Sequence, residues 1–214
     1  MGTRPYREVW ELQHRLHGAV REGREPDTWI FVEHPPVITL GRQAKRANVL
    51  LPDAALESRG VDVVPIERGG DVTYHGPGQL VVYPIRKLER FREIVPLVRA
   101  LEGAVIATCA RFGVTAERRS EHAGVWVAKD QICAVGLAVR RMVSMHGIAL
   151  NVETDLTYDR LINPCGLIGY GITSLTKEAG RPVTVEEAKS ALVEDLSEAF
   201  GVTFDRETGF AIEA

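Results

Sequence analysis

Cysteine is scarce in this chain of 214 residues: only Cys109, Cys133 and Cys165 occur. An odd count without paired C-x-x-C spacing implies neither a disulfide framework nor a zinc knuckle. Long hydrophobic runs are also missing, and none approaches the roughly 20 apolar residues that cross a bilayer. The polar start Met1 to Arg7 is not followed by the apolar core of a secretory signal. Met1-Gly2 opens as a myristoylation site does, but Tyr6 stands where Ser or Thr is required. An excess of one charge is absent too: 26 Lys and Arg against 29 Asp and Glu leave a net charge of −3. That balance gives no global reason to bind nucleic acid or an anionic membrane. A reduced, cytoplasmic setting without a nucleic-acid or membrane partner is expected. Repeats, low-complexity segments and composition shifts are missing as well, so one domain over residues 1–214 is expected.

What is present suits a globular core, with 45% apolar and 26% charged residues. Val9, Leu12, Leu16 and Val20 recur at helical spacing and predict a helix over 6–22. A buried strand is expected at Trp29 to Glu33, then Val37 to Leu40, a short helix near 53–58 and a strand over 61–66. Leu80 to Ile85 reads as another strand. Ile94, Leu97, Leu101, Val105 and Cys109 form a helical stripe over 93–112 that ends near Gly113. Strands at 124–127, 132–139 and 144–152 form a meander, its first two joined by Ala128-Lys129-Asp130. Thr184-Val185-Glu186-Glu187 has the form of a capping box that starts a helix over 185–200. Strands and helices mix without strict alternation, so an α+β chain is expected: a mixed β-sheet flanked by helices rather than a doubly wound fold.

The most informative stretch runs from Arg68 to Ile85, RGGDVTYHGPGQLVVYPI. Gly69, Gly70, Gly76, Pro77 and Gly78 surround Arg68, Thr73, Tyr74 and His75. So many permissive residues exceed what a structural turn needs and suit a loop that wraps a ligand. Cys165, between Pro164 and Gly166, lies outside any apolar stripe. It reads either as a nucleophile needing an electropositive or basic neighbour, or as a buried structural cysteine. Cys109 continues a helical stripe and reads as core, and Cys133 as core or pocket wall. His14 and His17 read as surface residues of the first helix, and His146 as a satisfied core histidine. His75 is more suggestive because of its glycine-rich setting. No spacing suggests a metal site, and no cofactor is expected.

Taken together these segments resemble the lipoyl(octanoyl) transferases, also called lipoate-protein ligase B. The resemblance rests on His34 to Arg42 (HPPVITLGR), the RGGDVTYHGPGQLVVYPI run, Gly124 to Val127 (GVWV), Ala134-Val135-Gly136, His146 to Val152 (HGIALNV) and Pro164-Cys165-Gly166. It covers about residues 34 to 175 in order, and it implies a fold shared with biotin and lipoate protein ligases. It also implies transfer of an octanoyl or lipoyl group from acyl carrier protein to a lysine on a lipoyl domain. The acceptors implied are the lipoyl domains of 2-oxoacid dehydrogenases and the glycine cleavage H protein. In that family the cysteine of the PCG motif carries the acyl thioester, which assigns this role to Cys165. The acyl pocket is implied to comprise Arg68, Gly69, Gly70, Asp71, Val72, Thr73, Tyr74 and His75, then Ala134, Val135 and Gly136, then Gly147, Ile148 and Ala149.

Two steps through a thiolate suit a thioester donor and an amine acceptor. Backbone N–H groups around Gly76–Gly78 or Gly166 are candidates to hold the oxyanion. Each buried CH₂ of the acyl chain contributes about 0.8 kcal/mol. The basic runs Arg86-Lys87 to Arg92 and Arg140-Arg141 read as solvated faces or as docking sites for acidic carrier domains.

The family pattern Lys-Ile-x-Ala-Ile-Gly is broken here, where Gln131 stands in the lysine's place. Glutamine hydrogen-bonds but carries neither charge nor a titrating proton. Either turnover is slowed, or Lys129 reaches in from two residues away, roughly 6.6 Å along a strand, or His75 or His146 supplies the base. The alternatives are an acyl-binding homologue with little or no turnover, and an ATP-dependent lipoate or biotin ligase.

Overall fold

In a computed structural model the chain is described over residues 1–163, 170–204 and 211–212. Its elements in order are α1 (Tyr6–Arg21), β1 (Thr28–Val32), β2 (Val37–Leu40), α2 (Asp53–Glu57), β3 (Asp62–Pro65), β4 (Val72–His75) and β5 (Gln79–Ile85). They continue with α3 (Ile94–Arg111), β6 (Glu117–Arg118), β7 (Gly124–Val127), β8 (Asp130–Arg140) and β9 (Val143–Asn151). The last are β10 (Gly171–Ile172), α4 (Leu175–Ala179), α5 (Val185–Phe200) and β11 (Ala211–Ile212). Eight strands form one sheet in the order β11-β1-β5-β9-β8-β7-β6, with β10 added parallel to β8. A second sheet has three strands, β3-β2-β4, with β2 parallel to β3 and antiparallel to β4.

The period of two along the central strands decides the layering. In β5, Leu80 and Val82 point into a core shared with Leu97, Leu101 and Leu192 of α3 and α5. Val81, Tyr83 and Ile85 point the other way, against Tyr6, Val9 and Val20 of α1. β1 and β9 divide in the same manner, with Trp29, Phe31, Ile148 and Leu150 on the first side and Ile30, Val32, Met145 and Ala149 on the second. Helices thus cover both faces, and every residue of β5 is buried. Each large apolar side chain so enclosed contributes about 1.5–3 kcal/mol. Cys109 and Cys133 are fully buried in the α3–α5 core, and Thr184 and Glu187 form the capping box at the start of α5.

Four sequence expectations need correction. The run Arg68–Gln79 is not loop throughout: β4 lies inside it, Val72 and Tyr74 packing with Ile38 and Leu56 in a third core cluster. Flanking glycines masked this two-residue period. The strand expected over 61–66 is β3, but its pairing with β2, and of β2 with β4, in a separate small sheet was unforeseen, because pairing joins segments remote in sequence. His17 is buried, its Nε2 2.9 Å from the Arg140 carbonyl, because α1 lies against the β8–β9 turn. Arg86 does not extend a solvated basic face: its Nε pairs with Asp27 at 2.9 Å, and its guanidinium lies 4.9 Å from the Phe200 ring centre. Among the described residues, no helix is long and apolar enough to cross a membrane.

Gly147 shows how closely β5 and β9 approach. A Cβ there would lie 2.0 Å from the Val82 carbonyl oxygen and 2.7 Å from Pro84 Cδ. Gly147→Ala is therefore expected to lower the unfolding free energy by about 2 kcal/mol or more. Urea unfolding checks this, and an unchanged midpoint would contradict the close approach.

Candidate active site

The glycine-rich run is fastened across the gap between the two sheets. Gly69 N–H donates to the Leu137 carbonyl of β8 at 3.0 Å. Arg68 is 6% exposed; its Nη1 donates to the Gly69 carbonyl, and its Nη2 to both the carbonyl and the hydroxyl of Thr39 on β2, at 2.9 to 3.0 Å. The charged end of Arg68 thus serves the scaffold. A Cβ on Gly136 would come within 3.1 Å of Arg68 Cδ, so the absence of a side chain there makes room for the arginine.

Two neighbouring cavities result: an outer cleft whose lining includes exposed residues such as Ala123 and Asp155, and an inner chamber lined mostly by buried residues. Arg68, Thr73, Ala134, Val135 and Ala149 line both. Gly69, Gly70, Val72 and Tyr74 line the outer cleft, together with Gln131. His75, Gly136, Gly147 and Ile148 line the inner chamber. The three sequence segments expected to form a pocket are therefore brought together. Asp71 is the exception. Its carboxylate turns away, accepting from Lys45 N at 3.0 Å and from the Asn48 side-chain amide.

Sequence reading did not single out Tyr6, Tyr83 or Asn151, and it took Gln79 only as the end of the pocket-wall run from Arg68. Tyr6 and Tyr83 line the inner chamber, and Gln79 and Asn151 the outer cleft. Gln79 and Asn151 sat within quoted motifs, so a donor–acceptor inventory of those motifs would have marked them. Nothing local marks Tyr6, which arrives from a helix far away in sequence.

A hydrogen-bond chain sets the state of His75. Asn151 Nδ2 donates to the Thr173 carbonyl at 3.0 Å, and Gln79 Nε2 donates to Asn151 Oδ1 at 2.9 Å. Gln79 Oε1 must then accept from His75 Nδ1, at 2.8 Å, which leaves a lone pair on Nε2. Burial pushes His75 down to about 3, with nearby His34 adding to the shift. His34 is pushed down to about 4 by burial. Its Nδ1 lies 2.8 Å from the Arg4 carbonyl, so that nitrogen is the donor, and its Nε2 accepts from the Tyr83 hydroxyl at 2.9 Å. His146 is 2% exposed, not hydrogen-bonded through its ring, and 3.6 Å from Glu67. It is thus a chamber-wall residue rather than the satisfied core histidine expected. The imidazoles of His34 and His75 are neutral near pH 7.

Gln131 is the second residue of β8 and lines the outer cleft. Its Nε2 is 3.5 Å from the Ala123 carbonyl and 2.7 Å from where a Cβ on Gly124 would sit. Gly124 adopts φ +130, so this site needs glycine on two counts. Lys129 does not share Gln131's face: it is exposed in the β7–β8 turn, after Ala128 at φ 48, where strand alternation does not hold. His75 and His146 line the inner chamber, not the cleft beside Gln131. Gly78 N–H is occupied by Glu33 Oε2 at 2.9 Å, so it is no oxyanion donor. Cys165 and Gly166 lie outside the described residues, but Ile162 and Ile172, on either side of them in sequence, both line the outer cleft. Ile172 is aligned with Gln131 in the β10–β8 pairing, and Thr173 N–H donates to the Gln131 carbonyl at 3.0 Å. Among the described residues no cluster of His, Cys, Asp and Glu could hold a metal.

In fold the chain is similar to lipoate protein ligases. It matches a lipoate-protein ligase A bound with ATP at a TM-score of 0.78 and 17% identity, covering 96% of this chain and 85% of that one. The bi-partite lipoate protein ligase of Thermoplasma acidophilum matches at 0.74 and 18% identity, over 96% and 84%. Sequence narrows the class further. Octanoyltransferases of Bacteroides fragilis (44% identical over 203 residues, 90% of this chain and 92% of that protein) and Thermoanaerobacter pseudethanolicus (40% over 210 residues, 97% and 91%) are similar over nearly the whole chain. With residues 5–197 matching the family described as the lipoyl protein ligase A/B catalytic domain, the chain belongs to that family.

The neutral histidines make a pH prediction. His34 has a folded pKa near 4 against 6.5 for the free group, so between those values the unfolded chain binds more protons and stability falls as pH drops. From pH 7 to 4.5, urea unfolding of the wild type is expected to lose about 2 kcal/mol more than that of His34→Gln, from about 1.4 kcal/mol per pKa unit. Parallel pH curves would contradict it.

Proposed function

We propose that this chain is an octanoyltransferase: it takes an octanoyl group from octanoyl–acyl carrier protein and places it on a lysine of a lipoyl domain, the first step of making protein-bound lipoate. The observation that carries this reading is the cleft on which residue 131, the glycine-rich run and both flanks of the PCG segment converge. The octanoyltransferase relatives, 40–44% identical, support the same chemistry. In the first step the Cys165 thiolate attacks the thioester carbonyl and the carrier thiolate leaves, taking up a proton. In the second a neutral lysine amine attacks the acyl-cysteine, forms the amide, loses a proton and releases Cys165. The outer cleft takes the reacting carbonyl, and the inner chamber, with its apolar wall of Val81, Ile148 and Ala149, takes the hydrocarbon tail.

Gln131 changes how the thiol is activated. Its Nε2 can donate a hydrogen bond to the developing oxyanion but cannot accept a proton or lower the thiol pKa by charge. Turnover should therefore rise with pH toward the ordinary thiol pKa near 8.5. The carriers of the acyl group and the lipoyl domains of 2-oxoacid dehydrogenases and glycine cleavage H protein are the partners this reading requires.

Intact-mass measurement after mixing the full chain with octanoyl–acyl carrier protein, without ATP, is expected to give an octanoyl adduct that maps to Cys165 and is lost in Cys165→Ser. Carrier binding with neither adduct nor amide product would point instead to a non-catalytic acyl-binding protein, and a need for ATP to a ligase. Gln131→Lys is expected to raise transfer at pH 7 by about 100-fold, the low end for a placed acid–base group. Equal rates would remove position 131 from the chemistry.

A further inference from the structure

Resting on the acyltransfer reading, we propose that Tyr6 is the stop that sets the length of the acyl chain. Gln131 lines the outer cleft and not the inner chamber, whereas Tyr6 lines the inner chamber and not the outer cleft. Along β8 the wall runs from Gln131, which lines the cleft, through Ala134 and Val135, which line both cavities, to Gly136, which lines the chamber. An acyl chain whose carbonyl sits beside residue 131 therefore carries its methyl end toward Tyr6. Among the described lining residues of the chamber, only Tyr6 comes from a helix; the rest belong to the sheet strands and the Arg68 run. Helix α1 closes one end of a slot that the sheets otherwise leave open.

The ring is held firmly. It is 4% exposed, stacked on His75 with centroids 5.9 Å apart and planes at 13°, and tilted against His34 at 5.1 Å. Both imidazoles are tied by hydrogen bonds, His75 to Gln79 and His34 to Tyr83 and Arg4. A longer acyl chain must displace the phenol ring from this packing, whereas a shorter one leaves apolar wall uncovered. The ligand class selected is a straight medium-length acyl group.

The test is competition among hexanoyl, octanoyl, decanoyl and dodecanoyl thioesters of acyl carrier protein for transfer to a lipoyl domain, read as ratios of kcat/KM. Tyr6→Leu keeps an apolar side chain in the core and shortens the stop, and it is expected to raise the dodecanoyl-to-octanoyl ratio about 10-fold or more. Tyr6→Trp, which lengthens the stop, is expected to shift preference toward hexanoyl, and Tyr6→Phe to leave the profile in place. A folded Tyr6→Leu protein with the wild-type profile overturns the proposal, as does a folded Tyr6→Trp protein that still prefers octanoyl. Should the wild type transfer none of the four, the acyltransfer reading itself falls, and the proposal with it. Transfer of octanoyl by the wild type with an unmoved profile in the variants removes only the role of Tyr6.

Discussion

A single buried cation holds the site open. Taking a guanidinium out of water is expensive unless its donors are satisfied, and Arg68 donates to the carbonyls of Gly69 and Thr39 and to the Thr39 hydroxyl. Those bonds fix the glycine-rich run against β2, while the Gly69 N–H fixes it to β8. The three-stranded sheet is thereby held facing the eight-stranded one with a gap between them. Gly136 leaves space for the arginine stem, and the cavities occupy what remains of the gap. The arginine acts chiefly as a tie, with its stem forming part of the wall.

The gap divides chemically. The outer cleft carries amides, Gln131, Gln79 and Asn151, and is bordered by the chain on either side of the PCG segment. The inner chamber is walled by Val81, Ile148 and Ala149 together with rings kept neutral by burial. Arg68 brings a charge to this wall, and its guanidinium is bound to the carbonyls of Gly69 and Thr39. The relay from Thr173 through Asn151 and Gln79 to His75 joins the two regions and fixes the tautomer of the histidine. Gln131 brings to the cleft a side-chain amide that donates and accepts hydrogen bonds but does not titrate.

Much of the fold could be read from local pattern. The stripes of α1, α3 and α5 and the meander of β7, β8 and β9 emerge within a residue or two of the expected bounds, because helical and strand periods are set by neighbours three, four or two places away. β4 escaped because glycines on both sides drowned a four-residue strand. His17 was misjudged because its burial comes from the turn after β8, and Arg86 because Asp27 and Phe200 are remote in sequence. The motif segments identified the walls of the site, apart from Asp71, whose side chain is claimed by Lys45 and Asn48.

The amino-acid order by itself determined the element types, the family to which the chain belongs and the replacement at residue 131, since each is written in short-range spacing and residue identity. Only the tertiary structure decided that Arg68 serves the scaffold, that Lys129 lies off the strand, and that Tyr6 lines the chamber and packs against His75 and His34. The reason is physical: these outcomes depend on which backbone carbonyls, rings and helices are brought together when two sheets and a distant helix pack, and no local period encodes that.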